Sequence, residues 1–427
     1  MTHPPAARTC APVLDPNITA VTFGCRLNAA ESEAARAYAQ AAGVRDAVIV
    51  NTCAVTGEAV RQARQAIRRA RRDRPTARII VTGCAAQLDP ARFQAMPEVD
   101  LVLGNAEKTR IDSFRAARGA EVGDIMAVRA AAPLAADAAQ PRQRAIVPVQ
   151  NGCDHRCTFC IIPHARGPSR SSPAEAVAAH IRLLADAGAP EVVLTGVDLT
   201  SWGEDLPGRP RLGDLVAQIL NEAPALPRLR LSSLDALEID PTLFDLIVTE
   251  PRIAPHLHLS LQHGDDMILK RMKRRHSRAE AIDLCVRLKA ARPEIALGAD
   301  LIAGFPTETD AQHEHSLSLI AACDLAFVHV FPFSPRPTTP AARMPQCAPD
   351  VIKSRAAALR EAARAALHKH LDAWVGRSAE ALVEGGGFAR LADFTGARLA
   401  PDAAPRGAKA HLAFAGHDGE ALIGSFA

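Results

Sequence analysis

Residues 145–160 read AIVPVQNGCDHRCTFC, an apolar run that gives way at Gln150 to Cys153, Cys157 and Cys160, with gaps of three and two residues. The run has the character of a buried parallel strand, and in barrels and sheets of such strands the chemistry gathers where strands end. Three thiolates this close can hold three irons of a cubane iron–sulfur cluster and leave the fourth iron without a protein ligand. Zinc is the competing metal. It needs a fourth ligand, which His155 or His164 would supply in a Cys3His site, although no second C-x2-C pair accompanies the loop.

Downstream, the pattern repeats. The runs AIVPVQ, EVVLTGV, RLRLSSL, HLHLSL, ALGADLIAGF and AFVHVFPFS alternate with helical stretches such as PAEAVAAHIRLLADAG, LGDLVAQILNEA, RAEAIDLCVRLKAA and TDAQHEHSLSLIAA. Six strand–helix units predict a (βα)6 partial barrel over residues 144–375, its site at the C-terminal ends of the strands and a long helix from Pro349 to Trp374 closing it. Upstream, over residues 18–130, ITAVTF, DAVIV, ARIIVT and VDLVLG are separated by AAESEAARAYAQAAG and EAVRQARQAIRRARRD. That is the βαβ pattern of a doubly wound parallel sheet, so the chain is of the α/β class. Three of these strands run directly into Cys25, Cys53 and Cys84. Strand ends share one edge of an open sheet, so the three thiols are expected to converge as a second cluster site. Residues 130–143 are Ala/Pro-rich and read as a linker. Residues 376–427 switch to short alternating runs with glycine turns, a small all-β domain; with five Lys/Arg against six Asp/Glu, its charge does not mark it as an RNA-binding module.

A chain of 427 residues suits two or three domains, and no apolar run is long enough to span a membrane. The first residues lack the apolar core of a signal peptide, so a cytoplasmic protein is expected. Ten cysteines in a reducing compartment favour metal ligation or catalysis over disulfides. The net charge of +3 demands no nucleic-acid partner, but the basic charge is clustered. RQARQAIRRARRDRPTAR spans Arg61 to Arg78 with Asp73 its only acid, and KRMKRRHSR spans Lys270 to Arg278. Solvated helix faces often look like this. As phosphate contacts, the runs would offer Arg61, Arg64, Arg68, Arg72, Lys270 and Arg274.

In order along the chain come FGCRLNAAE, NTCAVTGEAVRQAR, VTGCAAQ, VPVQNGCDHRCTFCIIPHARGPSRS, TGVDLTSWG, RLSSLDALEI, HLHLSLQHGDDMILKRMKR, DLIAGFPTET and FPFSPRPTTPAARMP. This series resembles the methylthiotransferases of the radical S-adenosylmethionine superfamily, from about Val21 to Ala427. Their β-domain, called TRAM, has its counterpart in residues 376–427. GCRLN with Glu31, and NTCAVT, look most like the branch that methylthiolates C2 of N6-threonylcarbamoyladenosine at position 37 of tRNA. The resemblance implies two 4Fe-4S clusters, one on Cys153, Cys157 and Cys160 and one on Cys25, Cys53 and Cys84. It also implies S-adenosylmethionine as radical source and methyl donor, the tRNA anticodon loop as partner, an electron donor such as flavodoxin or ferredoxin, and a sulfur donor. Phe159, Gly196, Asp198, Ser232, Ser233 and Gln262, in the cysteine loop and at barrel strand ends, are candidates for holding the cofactor; Asp300 and Arg336 are further ones. Thr307 and His263 depart from the family pattern, which has glycine and serine there. So do Pro337 and Thr338, in a stretch where glycine usually precedes threonine. Alternative substrates are isopentenyladenosine-37 and a ribosomal-protein aspartate, and a zinc-stabilised RNA-binding protein is the reading without catalysis.

Overall fold

The computed structural model describes residues 14–134, 144–401 and 403–427. Cys10 and residues 135–143 of the expected linker lie outside them. Strands β1 (Ile18–Thr22), β2 (Ala47–Thr52), β3 (Arg78–Gly83), β4 (Leu101–Leu103) and β5 (Gly119–Glu121) form one parallel sheet, adjacent in chain order. Alternate residues of the buried β2 serve opposite faces. Ala47 and Ile49 pack with Ala35 and Ala39 of α1 (Arg26–Ala41), whereas Val48 and Val50 pack with Val60 and Ile67 of α2 (Gly57–Asp73). Thr56 caps α2 by accepting from the Ala59 amide, and Arg71 and Arg72 suit its C-terminal dipole. Two short helices, α3 (Cys84–Leu88) and α4 (Pro90–Gln94), follow β3. Strand β5, Gly-Ala-Glu, has no apolar run to announce it.

The central region contains β6 (Ala145–Pro148), a ribbon of β7 (Gln150–Asn151) with β8 (Arg170–Ser171), and the short α5 (Ile162–Arg166) in the cysteine loop. Then come α6 (Ala174–Asp186), β9 (Val192–Thr195), α7 (Leu212–Glu222), β10 (Leu229–Leu231), α8 (Pro241–Thr249) and β11 (His256–Gln262). After these follow α9 (Asp266–Met272), α10 (Arg278–Ala291), β12 (Ala296–Ala303), α11 (Asp310–Ala322), β13 (Leu325–Pro332) and α12 (Pro349–Asp372). The six expected strands make two parallel three-stranded sheets, β6-β9-β10 and β11-β12-β13, joined by parallel bridges at Leu229–Ile253 and Leu234–Leu259. β6 and β13 remain edges, so the barrel is open along one side. Leu257, Leu259, Ala299 and Leu301 pack in the core with the helices. By the two-residue strand period, His256, His258, Ser260, Gly298 and Asp300 face the lumen.

Strands β14 (Ser378–Gly385), β15 (Phe388–Leu391), β16 (Gly396–Arg398), β17 (Lys409–His417) and β18 (Leu422–Phe426) close a small barrel. It is docked against the N-terminal ends of the larger barrel's strands. Arg230 donates to the Ala392 carbonyl at 2.9 Å, Arg144 pairs with Glu384, and the His256 ring stacks on Phe394 with centroids 4.8 Å apart.

Candidate active site

Because β1, β2 and β3 are neighbours, Cys25, Cys53 and Cys84 leave the sheet side by side at its carboxyl edge. Gly24 and Gly83 turn the chain there, both at φ 95°. A Cβ on Gly24 would lie 3.0 Å from the Cys53 Sγ, and one on Gly83 2.4 Å from Asn51 Oδ1 and the Thr52 carbonyl, so only glycine lets the loops approach. Burial pushes the Cys53 thiol up to about 11, and the neighbouring Cys84 and Cys25 push the same way. Opposite them stands Arg166 of α5, completely buried, whose guanidinium forms a bidentate pair with Glu31 at 2.6 and 2.9 Å and also bonds Asn28. Lys108 reaches Glu31 at 2.5 Å. Burial works against the Glu31 anion, but Arg166 and Lys108 outweigh it and hold the carboxyl near 2.

In the second loop the Cys153 amide donates to Gly167 at 3.1 Å, and the Cys160 amide to Cys157 at 3.1 Å. Thr158 ties the loop to α9 through its amide on Met272 (3.0 Å) and its hydroxyl on Arg271 (2.8 Å). Cys153 Sγ lies 3.5 Å from Asp198 Oδ2 and Cys157 Sγ 3.8 Å from Arg274. Burial drives the Cys160 thiol up to about 12 and the Cys153 thiol far up, Asp198 adding to the latter. Arg274 is a correction to the sequence reading. Its side chain is buried, donating to Asp235 and to the Ser260 carbonyl at 2.7 Å each, so it belongs to the cysteine pocket and not to an RNA-facing surface. His155 is more than a loop residue. Its Nε2 lies 2.7 Å from Asp198 and 3.5 Å from Glu238, and hydrogen bonds to these two hold it protonated up to about 10.

The donor sets fit clusters with an open iron. Each site offers three thiols, and no fourth cysteine joins either among the described residues. Cys285 and Cys323 pair with one another, and Cys347 faces the Phe305 carbonyl. Buried thiols driven this far up ionise only beside strong positive charge, which bound iron supplies. His155 is bonded to two carboxylates, and its ring nitrogen, Cys153 Sγ and an Asp198 oxygen lie within 4.8 Å of one another.

The remaining candidates are distributed around the loop. Gln150, which the sequence did not single out, accepts from the Val197 and Asp198 amides at 2.9 Å and donates to Gly152 and Ser169, tying β9's end to the cysteines. Its carboxamide explains Gly196, where a Cβ would meet Oε1 at 2.8 Å. Asp198 accepts from Ser201 at 2.9 Å. The Ser232 hydroxyl is buried without a partner among the described residues, Ser233 is exposed, and Gln262 follows a bulge at φ 67°. Phe159 packs edge-on against Phe305, centroids 6.5 Å apart. Asp300 sits in the lumen between His258 (2.8 Å) and His329 (3.1 Å), which outweigh burial and hold it near 2. Arg336 lies beside Gly57, whose amide donates to Ser334 at 3.2 Å. His263 abuts Glu308 at 3.7 Å. On the surface, Arg61, Arg68 and Arg72 are exposed on α2, Arg64 is half-buried, and Lys270 is exposed on α9.

Residues 147–320 match the radical SAM superfamily, and residues 17–104 match uncharacterized protein family UPF0004. The threonylcarbamoyladenosine tRNA methylthiotransferase MtaB of Rickettsia prowazekii (strain Madrid E) is 47% identical over 89% of this chain and 90% of its own length. The tRNA-2-methylthio-N(6)-dimethylallyladenosine synthase of Anaeromyxobacter dehalogenans (strain 2CP-C) is 36% identical over 95% of this chain and 93% of its own. Among solved structures, the radical S-adenosylmethionine methyltransferase TsrM from Kitasatospora setae, with cobalamin and a 4Fe-4S cluster bound, shares the fold. Its TM-score is 0.51 at 16% identity, over 74% of this chain and 70% of that one.

Proposed function

This chain belongs to the radical S-adenosylmethionine methylthiotransferase family, and on that premise we propose that it methylthiolates C2 of N6-threonylcarbamoyladenosine at position 37 of tRNA. The observation that carries the reading is the joining of two three-thiol sites through one short helix. α5 begins two residues after Cys160 and packs on α3, which begins at Cys84, while Asn105 donates to the Ala165 carbonyl at 2.8 Å.

Cys153, Cys157 and Cys160 would hold the cluster that relays an electron to S-adenosylmethionine for radical chemistry, and Cys25, Cys53 and Cys84 would hold the one that carries the sulfur to be transferred. The chain's own residues provide the setting. Gln150 and Asp198 fix the loop, the Ser232 hydroxyl offers a free polar contact, and Arg274 places positive charge beside Cys157. Arg166 and Glu31 tie the two domains together beside the thiols. A base reaches such a lumen only when unstacked, which costs least in a single-stranded anticodon loop. Arg61, Arg64, Arg68, Arg72 and Lys270 are the phosphate contacts in this reading. A flavodoxin or ferredoxin supplies electrons and a separate sulfur donor replenishes the transferred atom, in the reducing cytoplasm that free thiols require.

Anaerobic reconstitution tests it. About eight irons per chain, falling to about four in a Cys153/Cys157/Cys160→Ala variant, establish two cubane clusters. The methylthio nucleoside must then form on tRNA carrying threonylcarbamoyladenosine. Little iron with about one zinc per chain refutes the reading.

A further inference from the structure

Four guanidiniums surround Phe394 where the small barrel closes the larger one. Their carbons lie 4.3 Å (Arg390), 5.0 Å (Arg230), 5.0 Å (Arg26) and 5.7 Å (Arg144) from the ring centroid. Two carboxylates serve them. Glu191 accepts from Arg230 at 2.7 Å and Arg144 at 2.6 Å, and Glu384 accepts from Arg390 at 2.9 Å and pairs with Arg144. Arg26 has no such partner. Among the described residues its guanidinium makes no hydrogen bond and no ion pair, and it is half-buried while Arg230 beside it is sealed. A guanidinium taken from water without an acceptor is costly, and here three like charges stand near it. Glu191 attracts Arg26 only from a distance, so among the described residues what Arg26 lacks is an anion in direct contact.

Phe394 is an aromatic residue held at φ 75°, a left-handed conformation that persists only where its surroundings enforce it. The ring is therefore a fixed platform for the cations. Arg26 is also covalently attached to Cys25, so its side chain runs from the N-terminal thiol site to the closed end of the lumen.

We propose that Arg26 is the specificity-determining residue that takes the carboxylate of the threonylcarbamoyl group on adenine N6. This rests on the substrate reading above and deepens it. A base with C2 presented to the Cys25 site carries its carboxylate one substituent-length away, a distance of the kind an arginine side chain spans. An isopentenyl group would set an apolar chain against an unpaired guanidinium and leave it unsatisfied, so the same residue discriminates against that substrate.

The test uses reconstituted enzyme and three anticodon stem-loops, bearing at position 37 threonylcarbamoyladenosine, its methyl ester, or adenosine. Binding is read by fluorescence anisotropy and product by mass spectrometry. Wild type is expected to bind the acid about tenfold to a hundredfold more tightly than the ester, the range for a charge-assisted hydrogen bond to an ionised group. Arg26→Gln should abolish that ratio, and Arg26→Lys should restore part of it. Equal binding of acid and ester by wild type overturns the proposal, whether or not the variants hold iron. So does an Arg26→Gln variant that weakens all three stem-loops alike, which would make Arg26 a contact to the RNA backbone. Turnover of acid and ester alike refutes this inference alone, whereas no turnover of any modified stem-loop refutes the substrate reading beneath it.

Discussion

Thr307 and Thr338 take left-handed backbone at φ 69° and 74°, the first where the family pattern carries glycine and the second in a stretch that usually includes one. The departures thus keep the loop geometry and accept its strain. Thr307 is compensated by Arg271, which donates to its hydroxyl at 2.8 Å. Thr338 is exposed, and among the described residues its side chain makes no hydrogen bond. A β-branched residue in this conformation costs about 1–3 kcal/mol, against about 0.5–1 kcal/mol for the extra chain entropy of glycine. Thr338→Gly should therefore stabilise the protein by about 1 kcal/mol, measured as a shift in the denaturation midpoint without a change in slope. A loss of stability would show that the loop is not strained. The two three-thiol groups were legible in the sequence, one from the C-x3-C-x2-C spacing and the other from three strands that each run into a cysteine. The roles of Arg166 and Gln150 were not, because their partners lie far along the chain, and neither was that of Arg26, because only folding brings the Phe394 ring against it.

At the scale of elements, apolar runs located every barrel strand, and the longer stretches between them located helices such as α6, α7, α10 and α11. β5 has no apolar signature, and α8 and α9 are short helices begun by aspartate caps at Asp240 and Asp265 that the run of motifs obscured. A basic run likewise does not reveal which of its members turns inward. In 270–278, Lys270 faces solvent and Arg274 faces the thiols. The α2 face is clearer. Arg68 approaches Glu98 only at 3.9 Å, and Arg72 is exposed. If they neutralise phosphates, the Arg68→Ala/Arg72→Ala variant should lower the salt dependence of tRNA affinity, with the log–log slope reduced by about 1.5. An unchanged slope would mark the face as merely solvated.

Across the whole molecule, the small C-terminal barrel is built into the larger one. Its own cations are largely engaged by its own acids, Arg398 with Asp418 and Glu420, Lys409 with Glu380. Its contribution is closure of the lumen, through Phe394 and the salt bridges around Glu191 and Glu384. Glu191 is fully buried; burial opposes its charge, but Arg230, Arg144 and Arg228 outweigh that and bring it from 4.5 to about 2. A carboxyl depressed in the folded state contributes stability that is present above about pH 4.5 and lost as pH falls through about 2. The shift corresponds to about 3 kcal/mol. Glu191→Gln should thus be markedly less stable than wild type at pH 7, and the two should converge between pH 5 and pH 2 in denaturant titrations. A gap that stays constant with pH would show that Glu191 acts through packing alone. The order in which this lumen is completed has a consequence for biosynthesis. Cys25, Cys53, Cys84, Cys153, Cys157 and Cys160 leave the ribosome long before Phe394. A nascent or truncated chain therefore carries both three-thiol sets before the domain that closes the far end of the lumen has been made.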